Sequence, residues 1–142
     1  MLLKQLSVFV SNKPGQVTNI TRFLKDSEVD IRALVLFDTS EFSILRIIVN
    51  RPDEALAILK KEGFVAKISM VAAVELEDTL GSLNRLCTTL SENDHNLEYT
   101  YCFVMEQNTM PLFVVKTDDT EKAEALLQEK GFRVLDQSEI QQ

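Results

Sequence analysis

The sequence predicts an α+β fold of two successive βαββαβ repeats, each with two helices on one face of an antiparallel sheet. Three observations carry this. The order strand, helix, strand, strand, helix, strand can be read twice along the 142 residues. Gly15 aligns with Gly81 at an offset of 66, and Ala55, Leu59 and Gly63-Phe64 align with Ala123, Leu127 and Gly131-Phe132 at 68. Each repeat also begins with a strand that turns directly into a helix, most clearly at Ser11-Asn12-Lys13-Pro14-Gly15-Gln16-Val17. Self-similarity at a fixed offset marks repeat architecture.

In the first repeat, residues 3–10 alternate as on a strand, with Leu6, Val8 and Val10 on one face. Residues 12–16 form the turn. Pro14 has a fixed φ and no N–H to leave unpaired, which suits a first helical turn. Gly15 lets a backbone or small ligand approach closely. Open amides at a helix start, beside the short polar side chain of Asn12, offer a seat for a carboxylate. Val17, Ile20, Phe23 and Leu24 then recur at helical spacing over residues 15–27. Residues 30–37 read as a strand with Ile31, Ala33, Val35 and Phe37 on one face, and residues 42–49 as its hairpin partner. Pro52-Asp53-Glu54 opens the second helix with acids at the positive end of its dipole. Gly63 stops that helix, and residues 64–69 close the repeat.

The second repeat runs the same way. Residues 71–76 form a strand, and Glu77-Asp78-Thr79-Leu80-Gly81 is the turn. A helix follows with Leu83, Leu86 and Leu90, then strands over 96–104 and 112–117, a helix over 119–130, and a strand over 132–135. Two extra residues fall near Glu106-Gln107-Asn108-Thr109. The predicted domains are residues 1–69 and 70–142, with no Pro/Gly/Ser linker between them. Side-by-side pairing of their edges into one eight-stranded sheet would hide exposed backbone groups.

Composition narrows the function. The chain is 45% apolar and 26% charged, as in a globular protein. No stretch approaches the roughly 18 apolar residues of a membrane span, so a cytoplasmic protein without membrane contact is expected. The net charge of −7 is uneven: residues 1–69 carry ten Lys/Arg against eight Asp/Glu, and residues 70–142 five against fourteen. An acidic surface gains nothing from counterion release, so nucleic acid is not expected as a partner. His95 is the one histidine, in a polar connection, which rules out a His-based triad or multi-His metal site within one chain. Cys87 and Cys102 lie 15 positions apart with no CxxC, which fits reduced core thiols better than zinc ligands. Tyr99, Tyr101 and Cys102 cluster on one strand. Core packing suits them, though a tyrosine there could line a ligand pocket. No enzyme site, metal or cofactor is predicted.

A unit of about 70 residues buries only roughly 60% of its chain surface and is marginal alone. Phe9, Leu34 and Leu36 fall out of phase with the helix-facing residues, where a bare sheet face would be polar. The expectation is a face covered by another subunit or repeat, and a homodimer.

Asn12-Lys13-Pro14-Gly15-Gln16-Val17, Val29-Asp30-Ile31, Leu45-Arg46-Ile47-Ile48-Val49 and the segment 55–64 together resemble the ACT domain. The second half resembles it too, from Asp78-Thr79-Leu80-Gly81 through Asn96-Leu97 to Gly131-Phe132. The likeness covers nearly the whole chain. It implies two ferredoxin-like repeats forming a non-catalytic, allosteric regulatory module. Such modules bind a small effector, usually a free amino acid, at an interface between ACT units, and act on a metabolic enzyme or regulator. The resemblance also implies that the first loop of one unit and the start of the second strand of another hold the ligand. By position these are Asn12 and its loop (Lys13, Pro14, Gly15, Gln16, Val17) with Asn96, and a weaker site of Asp78, Thr79, Leu80 and Gly81 with Asp30. Leu80 departs from the family's proline. Asp78 and Asp30 would repel a ligand carboxylate, whereas Asn12 and Asn96 are neutral amides. The alternative is a structural or protein-interaction subunit that keeps the fold without a ligand. Base stacking on the sheet is disfavoured because the middle strands lack a basic, aromatic platform.

Overall fold

The computed structural model describes residues 2–11, 13–38, 42–106 and 110–140. Its elements are β1 (Leu3–Ser11), α1 (Gln16–Asp26), β2 (Ile31–Asp38), β3 (Phe42–Val49), α2 (Pro52–Lys61), β4 (Val65–Glu75), α3 (Ser82–Glu92), β5 (Leu97–Phe103), β6 (Leu112–Thr117), α4 (Thr120–Glu129), β7 (Arg133–Val134) and α5 (Gln137–Ile140). The fold is a tandem of ferredoxin-like repeats with antiparallel pairing. Two compact units divide the chain, one mainly Lys4–Ser69 and the other mainly Met70–Glu139. Seven strands, rather than eight, occur among the described residues. The closing strand of the first repeat and the opening strand of the second are one continuous β4, because no Gly or Pro interrupts residues 65–75.

In the first unit β1 pairs with β3, and β3 with β2, all antiparallel. Leu6, Val8 and Val10 of β1 and Leu45, Ile47 and Val49 of β3 pack under Ile20 and Leu24 of α1 and Ala55 and Leu59 of α2. Burying each such large side chain contributes about 1.5–3 kcal/mol. In the second unit β6 joins β5 to β4, and β7 pairs with the other side of β4. Ala72, Val74 and Val115 pack there with Leu86, Leu90, Ala123 and Leu127. Leu83, expected in that core, is 44% exposed at the start of α3.

The phase of β2 differs from the sequence expectation. Leu34 pairs with Ile47 and Leu36 with Leu45, and paired residues share a face of the sheet. Both leucines therefore lie on the helix-side face, at an edge strand the helices leave partly uncovered. They are 45% and 48% exposed. Phe9 pairs with Ile44 on the opposite face and meets the Phe42 ring at 5.5 Å. The three residues do not share one outer face. The cause is a register shift between Ile31 and Ala33, which inserts one residue and exchanges the faces of all that follow. The second repeat has the same shift between Leu97 and Tyr99. Tyr99 and Tyr101 accordingly pair with Lys116 and Val114, while Cys102 pairs with Phe113 on the helix side and is exposed.

Candidate functional site

The turn into α1 is set by Gly15, the N-cap residue, at φ 90° and ψ −8°. A side chain there would be strained, so glycine is required. Pro14 precedes the cap instead of sitting in the first helical turn, because the left-handed glycine ends the helix behind it. Lys13 is exposed, and its N–H donates to the Ser11 carbonyl at 2.8 Å in a tight turn. Gln16 and Val17 open α1 and are half-buried. No side chain caps α1 among the described residues, so the first-turn amides lack a side-chain acceptor. Asn12, the residue on which the sequence reading leaned most, lies outside the described residues, as do Ser40 and Asn108 in the two hairpins.

The second loop repeats this geometry. Gly81 caps α3 at φ 92° and ψ −8°, again with no side-chain cap. Asp78, Thr79 and Leu80 are exposed, and the Thr79 and Ser82 hydroxyls lie 2.7 Å apart.

The residues at the start of the second strand of each repeat share a backbone arrangement. The Asp30 N–H donates to the Asn50 side chain at 2.9 Å. The Asn96 N–H donates to the Asp118 carboxylate at 3.2 Å. The acid and the amide have traded places between the repeats. Their side chains differ in availability. Asp30 is engaged by Arg32 at 2.9 Å, beside a cleft of about 410 Å³ that it lines with Lys25 and Glu28. The exposed Asn96 carboxamide makes no hydrogen bond among the described residues.

Each unit also holds a cleft between the end of its first strand, its first helix and its Gly-Phe pair. In the first unit it measures about 400 Å³ and includes Ser11, Gln16, Asn19 and Phe64. In the second it measures about 350 Å³ and includes Glu77, Ser82, Arg85 and Phe132. Sequence reasoning missed Arg85, although the offset of 66 that aligns the glycines also sets it against Asn19 and could have marked it. Arg133, beside this cleft, pairs with Glu75 and Glu139, each at 2.6 Å. Burial opposes its charge, but Glu139 and then Glu75 outweigh that and hold the guanidinium above its ordinary pKa. Among the described residues no group of three or more His, Cys, Asp or Glu side chains is arranged to hold a metal, and no helix is long and apolar enough to cross a membrane.

The family described as ACT domain pair matches residues 1–142. The chain belongs to the ACT domain pair family. A solved protein from Bacteroides thetaiotaomicron is 31% identical over 100% of this ACT pair and 97% of its own chain, with a TM-score of 0.91. The regulatory subunit of aspartate kinase from Thermus thermophilus superposes with a TM-score of 0.62 at 12% identity, covering 90% of this chain and 92% of that one. The regulatory subunit of aspartate kinase from Thermus flavus gives 0.63 at 16% identity, covering 90% of each. At those identities the ACT fold is what is shared. No curated protein sequence matches the chain significantly.

Proposed function

We propose that this ACT pair is a non-catalytic regulatory module that binds a free amino acid and transmits its occupancy to a separate metabolic enzyme or regulator. The observation that carries this is the loop at residues 13–17. It is exposed over residues 13–15, it turns through a left-handed Gly15, and it leaves the first amides of α1 without a side-chain cap among the described residues. Uncapped amides at the positive end of a helix favour a carboxylate. Asn12 and Asn96 supply neutral polar groups to the ligand's ammonium and carboxylate, and Lys13 adds a positive charge nearby. The Asn96 carboxamide, which makes no hydrogen bond among the described residues, supports that assignment, while the Arg32 ion pair of Asp30 makes the Asp78–Asp30 set the weaker one. The resemblance in fold to subunits described as regulatory supports the class of function.

The module works as a homodimer in this proposal. Among the described residues β2 is paired only with β3, and it carries Leu34 and Leu36 exposed along its other edge. Antiparallel self-pairing about Val35 sets each leucine opposite the other. The same edge favours the second reading, an interaction subunit that keeps the fold without an effector. Isothermal calorimetry with free amino acids on the intact chain and on Asn12→Ala separates the two. Binding that weakens in the variant supports the effector module, and no binding to either supports the second.

A further inference from the structure

Strand pairing sets up the same row of residues in both repeats, on the sheet face turned away from the helices. In the first repeat Phe37 pairs with Ile44, and Ile44 with Phe9, across β2, β3 and β1. In the second, Phe103 pairs with Leu112, Leu112 with Glu75, and Val74-Glu75 with Arg133-Val134 of β7. The offsets of 66 and 68 set Phe9 against Glu75 and Val65 against Arg133. Val65 thus extends the first row onto β4, the neighbour of β1. Phe64, Ala66 and Ile68 pack towards the helices, which turns Val65 and Lys67 to the side of the row.

The two rows differ in what they meet. In the second repeat Phe103 and Leu112 are buried, and Glu75 pairs with Arg133 at 2.6 Å. The chain after β7 stays beside them: the Leu135 N–H donates to the Ala73 carbonyl at 2.8 Å, and Glu139 of α5 pairs with Arg133. The first repeat has no such segment, because its strand that matches β7 runs on without a break as β4. Its row is open. Phe9 and Phe42 are 36% and 37% exposed, with ring centres 5.5 Å apart, and Val65 is 67% exposed. Arg46 and Lys67 flank the row on the same face, and β1, β3 and residues 65–69 contain no acid. Val114 and Leu135, both buried, stand in their places in the second repeat. The open row is therefore bordered by cations where the covered one is bordered by apolar groups.

We propose that the open row is a docking surface for a partner protein, which lays on it a short amphipathic helix with an apolar stripe and acidic flanks. This rests on the reading of the ACT pair as a module that acts on a separate protein, and not on the effector it binds. Four strands about 4.8 Å apart make the row roughly 15 Å long, which about three helical turns span. Apolar residues at i, i+3, i+4 and i+7 face Phe37, Ile44, Phe9 and Val65, and acids beside that stripe meet Arg46 and Lys67. A second copy is the less fitting occupant, because so short a row offers far less than the roughly 800 Å² per partner of a stable interface between folded surfaces. The row lies on the opposite face from Leu34 and Leu36, so docking there leaves the β2 edge unused.

The test is selection of a phage-displayed library of peptides about twelve residues long, some three helical turns, on the intact chain with no amino acid present. Fluorescence anisotropy then gives the affinity of the enriched sequence. The control is the double variant Phe9→Glu, Val65→Arg, which installs the pair of residues the second repeat already carries at these places. Lys67→Glu changes one exposed side chain and remains informative if the double variant fails to fold. The expected result is enrichment of acidic peptides with apolar residues at helical spacing. Their binding should be saturable and about ten-fold weaker to each variant. No enrichment, enrichment of basic peptides, or equal binding to both variants would each overturn the proposal. So would light scattering in which the double variant alone reduces the particle mass, since a second copy then covers the row. Loss of peptide binding with effector binding intact sinks the docking surface alone, and the reverse sinks the effector loop alone.

Discussion

Gly15 and Gly81, 66 positions apart, hold almost the same backbone conformation, φ 90° with ψ −8° and φ 92° with ψ −8°. Each accepts a helical hydrogen bond at 2.9 Å, from Asn19 and from Arg85. A Cβ at either position would meet nothing within 4 Å. The glycines are therefore required by backbone conformation and not by crowding. Gly81→Ala should lower stability by about 1–2 kcal/mol, the cost of a left-handed L-residue, as read from urea unfolding.

Leu80 stands where the first repeat has Pro14, and it is fully exposed. Since the following glycines match, proline should fit there without strain. Leu80→Pro is expected to raise stability by about 0.4–1 kcal/mol by restricting the unfolded chain. A loss in the same urea experiment would mean that the two loops diverge before the glycine.

At the proposed effector loop, Asn12→Ala and Asn96→Ala should each weaken binding about ten-fold, the scale of one lost hydrogen bond to a charged group. Asp78→Ala and Asp30→Ala should be nearly neutral, because Asp30 already answers Arg32. Calorimetry on the four variants decides the assignment; equal losses at both pairs would refute it.

Leu34 and Leu36 should matter for assembly more than for the core. Leu36→Lys is expected to convert a dimer into a 16.1 kDa monomer in light scattering, with the melting temperature of the monomer little changed. An unmodified chain that is already monomeric at micromolar concentration would remove the dimer from the proposal.

Leu86 and Leu83 sit three residues apart on α3, yet Leu86 is wholly buried and Leu83 is 44% exposed. Leu86→Ala should cost about 2–5 kcal/mol and Leu83→Ala under about 0.5 kcal/mol in unfolding measurements.

The punctuation of the fold was legible because it is local. Gly63 and Gly131 stop their helices at φ 90°, as their place after a run of helix-forming residues implies. Pro52 begins α2, and Asp119 caps α4 by accepting from the Lys122 N–H at 3.2 Å. What depended on pairing was not legible. Nothing in the alternation of residues 30–37 reveals the shift after Ile31, and that shift moves Leu34 and Leu36 to the other face. The short α5 was likewise missed, since Gln137–Ile140 has too few residues for a helical period. Of the candidate site, the loop glycines could be named from spacing, and Asp30 and Asn96 from the resemblance to the ACT domain. The repeat offset could mark Arg85, but not its meeting with Glu77 and Phe132, because the loop, α3 and the residues after α4 converge only on folding.

The most direct measurement is a thermal-shift screen of the intact chain against the twenty amino acids. Binding to the folded state adds RT ln(1 + [L]/Kd), about 2.7 kcal/mol at a hundredfold excess over Kd. The expected result is a clear rise in melting temperature with at least one amino acid, reduced in Asn12→Ala. No rise with any of the twenty would contradict an amino-acid-sensing role and leave the ACT pair as an interaction subunit.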